Sequence, residues 1–311
     1  MRSQVGENGS EARPRTEEIA PGVHAYVQPH GGWCVSNSGI VVGTDAVVVI
    51  DTAATESRAR ALLDTVLTLA PGRRQLVVST HHHGDHTFGN WVFAPHATLI
   101  AHELGPAEVV RKGLGMQRMW HDVAWGRIDI TLPSVTMRDH LTLHTGGPRV
   151  ELAHYGTAHA QDDIVAWLPE HRVLFAGDIL FSGCTPFVLM GSLDGSLRAM
   201  ARLRELEPRV IVCGHGEVCG PEVIDANEAY LRWVRETARA ARAQGLTPLE
   251  AARRADLGEF AGLRDPERLV ANLHRAYFEL EGGAPGGYIS STPVMREMVE
   301  YNGGRPLTCT A

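Results

Sequence analysis

The sequence has little that marks an exported, membrane-bound or nucleic-acid-binding chain. It holds only five cysteines in 311 residues, at positions 34, 184, 213, 219 and 309, and no Cys-x-x-Cys pair. An odd count without that spacing argues against a disulfide framework and against a thiolate zinc knot. Cys213 lies in an apolar run and reads as a small core residue. No apolar run reaches 18 residues, so no membrane span is expected. The opening MRSQVGENGSEARPRTEE has no apolar h-region; residues 1–18 read as a mobile N-terminal tail and not as a secretory signal. Positive charge is in deficit, with 29 Lys and Arg against 36 Asp and Glu and a net charge of −7. That balance excludes a binder of nucleic acid or anionic membrane that works by bulk charge. No tandem repeat is visible. The expectation is a cytoplasmic protein with a small-molecule substrate.

What is present is histidine, at 16 residues. Such a count directs attention to metal binding. Hydrophobic residues make up 44% of the chain, enough for a sizeable core.

Hydrophobic periodicity gives the layout. His24–Gln28, Cys34–Val42 and Ala46–Ile50 read as β-rich runs, the last apolar on both faces. A helix follows, with Thr55 as N-cap and Ala59, Leu62, Leu63, Val66 and Leu69 on one face; Pro71-Gly72 ends it. Leu76–Val78 is a short buried strand and residues 97–101 another. Residues 103–126 have no clear period. Val135–Met137, Leu141–Leu143, Val150–His154, Ile164–Leu168 and Val173–Ala176 have the spacing of a second sheet built from hairpins. Leu197–Leu206 reads as a helix and Val210–Cys213 as a strand. Beyond residue 220 the texture is helical, over 222–243, 248–255, 266–281 and near 293–301. The chain is thus divided into the tail, a catalytic domain over 19–220 and a helical C-terminal extension over 221–311. Residues 282–311, Gly-rich at their start, could serve as the arm of a homo-oligomer.

The chemistry is concentrated in Thr80-His81-His82-His83-Gly84-Asp85-His86, which directly follows a predicted buried strand. His81, His83, Asp85 and His86 are four ligand-type side chains in six positions, each able to bind a divalent transition metal. An irregular turn after a strand can divide them between two neighbouring ions. A polar surface loop is the alternative, and four such residues after a buried strand argue against it. His82 points the other way by alternation, to solvent or to a supporting position.

These residues resemble the His-x-His-x-Asp-His motif of the metallo-β-lactamase superfamily, and the resemblance covers roughly residues 20–220. It implies an α/β (α+β) fold, the αββα sandwich, and a helical region after it. Its further ligands are matched by His159 in Gly-Thr-Ala-His, Asp178 in Phe-Ala-Gly-Asp and His215 in Gly-His-Gly. The resemblance assigns His81, His83 and His159 to one metal and Asp85, His86 and His215 to the other, with Asp178 bridging. It implies two zinc ions as cofactors, with iron or manganese as substitutes. Two divalent ions offset by Asp85, Asp178 and a bridging hydroxide leave roughly one positive charge for a developing oxyanion. Asp85 takes the catalytic role of orienting the hydroxide and shuttling a proton to the leaving group.

Asp178 points within the superfamily to the thioesterase, lactonase and phosphodiesterase branches, including glyoxalase II; one β-lactamase subclass carries Cys there. Cys184 reads as a pocket or core residue. Asp51, after the Ala46–Ile50 run, is expected to orient an imidazole of the metal loop, or else to start the following helix. His30-Gly31-Gly32-Trp33-Cys34 resembles a hairpin loop over the metals. Trp33, Trp120 and His121 are candidate pocket residues; the alternatives are that Trp120 and Trp125 pack the 103–126 segment onto the sheet and that Trp33 is a packing residue. The resulting expectation is a binuclear zinc hydrolase of a small ester, thioester or lactone. Alternatives are a β-lactamase-type amide hydrolase, a metal-dependent lyase or cyclase, and a mononuclear iron persulfide dioxygenase.

Overall fold

A computed structural model describes residues 13–29 and 31–311. In chain order its elements are β1 (Arg15–Ala20), β2 (Val23–Val27), β3 (Ser38–Val42), β4 (Ala46–Ile50), α1 (Glu56–Leu69), β5 (Arg74–Val78), α2 (Gly84–Thr87), α3 (Asn90–Phe93), β6 (Ala97–His102), α4 (Gly105–Lys112), α5 (Gly115–Met119), β7 (Val135–Met137), β8 (His140–Leu143), β9 (Val150–Ala153), β10 (Val165–Leu168), β11 (Val173–Phe181), α6 (Leu193–Glu205), β12 (Val210–His215), α7 (Glu222–Ala243), α8 (Pro248–Arg254), α9 (Arg268–Leu280) and α10 (Ser291–Tyr301). No helix among the described residues is long and apolar enough to cross a membrane.

The strands form two sheets, ordered β1-β2-β3-β4-β5-β6-β7 and β12-β11-β10-β9-β8. The first is antiparallel from β1 to β4 and parallel from β4 to β7; the second is antiparallel except for β11 and β12.

The two-residue period of a strand sends alternate side chains to opposite faces, and this sorts the apolar residues into layers. In β4, Ala46, Val48 and Ile50 enter the core between the sheets, while Val47 and Val49 pack with Ala59, Leu62 and Val66 of α1. In β11, Val173 and Phe175 face the first sheet, while Leu174 and Ala176 join a cluster with α6 and α7. The product is a four-layer αββα arrangement. α9 and α10 belong to the same outer cluster through Leu269, Leu273, Val294 and Met298. Thr55 caps α1 by accepting from the Arg58 amide, and Ser192 caps α6 by accepting from Gly195 N at 2.9 Å.

Several expectations are corrected. Arg15–Glu18, assigned to the tail, begin β1, which pairs with β2; residues 1–12 lie outside the described residues, as does His30. Val135–Met137 joins the first sheet beside β6, not the second. The Cys34–Val42 run becomes a strand only from Ser38. Helix α6 starts at Leu193, four residues before the expected start, because Ser192 supplies the cap. The last residues pack on the body of the chain: Trp120 Nε1 donates to Leu307 O at 2.9 Å and Arg58 donates to Thr310 O at 2.8 Å.

Candidate metal centre

The candidate ligands come from four places at one end of the sandwich. His81 and His83 lie in the turn after β5, and Asp85 and His86 in the single turn of α2. His159 is in the loop before β10. Asp178 is inside β11, and His215 ends β12, its parallel neighbour. Asp178, expected just past the Val173–Ala176 strand, lies inside it, because β11 runs on to Phe181. Gly214 makes room for the carboxylate, since a Cβ there would stand 1.9 Å from Asp178 Oδ1.

These side chains form two groups. His81, His83, His159 and Asp178 each bring a ligand atom within 4.8 Å of the others, and so do Asp85, His86 and His215. In the first group His83 Nδ1 is 3.0 Å from His81 Nε2 and 2.9 Å from His159 Nε2. Asp178 Oδ2 is 3.5 Å from His159 Nε2 and 4.0 Å from His81 Nε2. In the second, Asp85 Oδ2 is 3.3 Å from His215 Nε2 and 3.7 Å from His86 Nε2. Asp178 reaches this group too, with Oδ2 3.4 Å from His215 Nε2 and Oδ1 3.2 Å from His86 Nε2.

Whether these residues fit metal ions can be tested on their hydrogen bonds. Asp51 Oδ2 lies 2.8 Å from His86 Nδ1; a carboxylate only accepts, so Nδ1 carries a proton and Nε2 is the atom left to face a cation. Phe187 O fixes His159 Nδ1 the same way at 2.5 Å. Thr80 Oγ1 donates to Asp51 Oδ2 at 2.7 Å, so its lone pair accepts from His81 Nδ1 at 3.1 Å. His81, His86 and His159 therefore all turn Nε2 inward. In the metal-free chain burial would lower His86, but the charges of Asp178, Asp51 and Asp85 overcome it and hold His86 well above the usual imidazole range, so its Nε2 carries a proton that a cation would displace. One N–H from His83 can answer only one of the two lone pairs beside it. His86 Nε2 and Asp178 Oδ1 are buried without a hydrogen bond although they approach each other. A tetrahedral zinc ion spaces its nitrogen and oxygen ligands roughly 3.4 Å apart; the nitrogen–nitrogen separations of 2.9 and 3.0 Å lie just below that value and the nitrogen–oxygen separations of 3.2–4.0 Å around it. The donor set, the fixed tautomers and the orphaned atoms all fit cations at both groups.

Electrostatics agree. Burial, then the charge of His86 and His159, holds His81 well below the usual imidazole range. Burial, then His81, His82 and His159, does the same to His83, and Lys112 adds to it. Burial lowers His159 to about 4. These three are neutral ligands at neutral pH. Burial would lower His215 also, but Asp178 and Asp85 outweigh it and raise it to about 9. Asp178 stays well below the carboxylate range because His215, His86 and His159 overcome its burial. In the metal-free chain protons thus balance the two acids, and cations would displace those protons.

The supporting structure is built from buried polar groups. Asp51, directly after β4, has a φ of 57°, an uncommon conformation for a residue with a side chain, and its carboxylate also accepts from Thr80 N at 2.6 Å. The cap of α1 is Thr55, so Asp51 does not start that helix. The polar face of α9 holds the segment that holds His159. Asn272 accepts from Val188 N at 2.9 Å and donates to Pro186 O at 2.7 Å; Arg275 donates to Leu189 O and Arg268 to Thr185 O. This linkage carried no local sequence signal, because the partners are backbone groups about 86 residues away.

A cavity of about 760 Å³ opens over the two groups. Trp33 and Trp120 both line it, with ring centroids 5.6 Å apart; Trp33 also donates to Glu267 at 2.7 Å and lies 4.2 Å beneath the Arg268 guanidinium. His121 is exposed and does not line the cavity, which corrects its assignment to the pocket. His82 belongs to neither ligand group; it is buried at the cavity wall, with Nδ1 2.7 Å from Asp162 Oδ1, and is not at the solvent. Cys184 is buried and donates to Gly31 O at 3.1 Å.

Comparison with known proteins agrees with this geometry. The family model of the metallo-beta-lactamase superfamily matches residues 31–215. The metallo-beta-lactamase type 2 of Bacteroides fragilis is 26% identical over 219 residues, covering 67% of this chain and 81% of that protein. The hydroxyacylglutathione hydrolase of Synechococcus sp. (strain CC9605) is 31% identical over 199 residues, covering 62% of this chain and 67% of that protein. The solved structure of a metallo-beta-lactamase from Pontibacter korlensis superposes with a TM-score of 0.59 at 21% identity, over 71% of this chain and 99% of that one. The chain therefore belongs to the metallo-beta-lactamase superfamily and is a metal-dependent hydrolase of that fold.

Proposed function

We propose that the protein is a binuclear zinc hydrolase that opens a small ester, thioester or lactone. The observation that carries this reading is the placement of Asp178, whose two oxygens lie 3.2–3.5 Å from His86, His159 and His215, between both groups of ligand atoms. A carboxylate so shared suits two ions, with His81, His83 and His159 holding one and Asp85, His86 and His215 the other. When bound, such ions supply a water acidified towards neutral pH and a Lewis acid for the carbonyl oxygen.

The chain's own groups do the rest. Asp85 lines the cavity, and its Oδ2 can take the proton of the attacking water and hand it to the leaving group. Its pKa is lowered, since His86 and His215 outweigh the effect of burial, so it enters the reaction ionised. Trp33, Trp120 and Phe187 form an apolar wall that orients the acyl part and limits bulk water. A carboxylate at position 178 and no thiolate among the ligands favour the ester and thioester branch over amide cleavage. The 31%-identical relative is named a hydroxyacylglutathione hydrolase, in line with this branch.

The test is a panel of aryl esters, thioesters, lactones and β-lactams, run on zinc-loaded protein beside Asp85→Ala with metal content measured in parallel. Thioester or lactone turnover that falls at least about 100-fold in Asp85→Ala is the expected outcome. A single iron per chain with oxygen uptake would overturn it.

A further inference from the structure

Of the 29 basic residues in the chain, Lys112 is the only lysine. It lies at the last turn of α4, on the wall of the cavity over the ligand groups. Its Nζ is 2.8 Å from Met190 Sδ, and no carboxylate lies within 4.0 Å of it among the described residues. A thioether is a weak acceptor, so a half-buried ammonium with three donors is left short of partners. The rest of the cavity wall has the same bias. Apart from Asp85 and Asp178 it contains no carboxylate, yet it contains Arg111, Lys112, Arg118, Arg268 and Arg296. Arg111 is paired with Glu108 and Arg268 with Asp265, whereas Lys112, Arg118 and Arg296 have no such partner among the described residues. In a protein with a net charge of −7, this collects unpaired positive charge at one opening. Between the cations the wall is apolar, from Met116, Met190, Ile289 and Met295.

We propose that Lys112 determines specificity by receiving a monoanionic arm, such as a carboxylate, of a substrate whose body is apolar. Arg118 and Arg296 at the mouth draw that substrate in. The inference rests on the proposed hydrolase only in taking this cavity as the substrate site. A purely structural alternative exists, because a cation in the last turn of a helix also stabilises the helix dipole. The test must separate the two.

The probes are a pair of S-phenyl thioesters, one of glutaric half-acid and one with its free carboxylate replaced by a carboxamide. Wild-type protein is expected to prefer the acid, and the kcat/KM ratio of acid to amide should fall about 10- to 100-fold in Lys112→Met, mostly through KM. Lys112→Arg keeps the charge and should recover most of that ratio. No preference in the wild type, or equal loss on both probes in Lys112→Met, would overturn the proposal. A second readout needs no turnover. Reductive methylation with 13C-formaldehyde keeps the charge and labels one side chain, Lys112, besides the α-amine. A nuclear Overhauser contact from those methyl groups to the methylene beside the carboxylate of 5-phenylpentanoate supports the proposal. Its absence at saturating ligand overturns it. If neither thioester is cleaved but the contact is present, the hydrolase reading fails while this one stands.

Discussion

Gly214→Ala offers a sharp test of how the metal centre is built. The added methyl would lie 1.9 Å from Asp178 Oδ1 and 2.9 Å from the Gly177 carbonyl carbon. The carboxylate would have to retreat by about 1.5 Å to reach an ordinary van der Waals contact. Metal–ligand distances tolerate only about 0.2 Å, so Asp178 could no longer serve both groups. Losing this support should weaken metal binding by about 100-fold, at the upper end for disturbed partners of a metal ligand. At free zinc about 1,000 times the wild-type Kd, binding stabilises the fold by about 4 kcal/mol; the variant would retain about 1.4 kcal/mol. For a chain of this size the difference is about 4 °C in the zinc-dependent part of Tm. The assay is thermal unfolding of each protein with zinc and with chelator, so that any direct cost of the methyl cancels. Gly262→Ala is the control, since nothing lies within 4 Å of its added methyl. An unchanged zinc-dependent shift in Gly214→Ala would refute the reasoning.

Other outcomes follow from the supporting groups. Asp51→Ala leaves His86 Nδ1, Thr80 N and Thr80 Oγ1 without their acceptor and should lower zinc affinity about 10- to 100-fold by competition with a chromophoric chelator. Asn272→Leu strips the buried Val188 amide and Pro186 carbonyl of their partner and should cost about 1–3 kcal/mol in urea unfolding, with weaker zinc binding as Phe187 releases His159. In metal-free protein His215 has its pKa raised to about 9, so its share of stability is full below about 6.5 and is lost as pH rises towards 9. A zinc ion on His215 would hold that imidazole neutral, and the slope between pH 6.5 and 9 should flatten when unfolding is repeated with zinc added.

Local chemistry made much of this molecule legible. The run from Ala46 to Ile50 is apolar at every position, which fits a strand covered on both faces, and β4 has those bounds. Thr55, with apolar residues at helical spacing behind it, gave α1 its start. The 81–86 motif is contiguous, so its metal chemistry could be read without a fold. The superfamily resemblance added His159, Asp178 and His215, and the structure brings all three to the motif.

The misses have physical causes. β1 is an edge strand, and its Arg15, Glu17 and Glu18 are what an edge requires, but in sequence they read as a solvated tail. β7 has three residues, two of them exposed, so no face pattern announces which sheet it joins. His82 is buried by Asp162, 80 residues away, and alternation could say only that it faced away from the metals. The same holds for α9: Arg268, Asn272 and Arg275 look like an exposed helical face until Thr185–Leu189 is laid along it. Local pattern fixes what an element is; the partners of a buried polar side chain are set by the tertiary fold.

The most direct measurement is a crystal structure of zinc-loaded protein with anomalous data at the zinc edge. Two peaks are predicted per chain, one among His81, His83 and His159 and one among Asp85, His86 and His215, with Asp178 reaching both. A single peak, or a second metal outside these residues, would contradict the account.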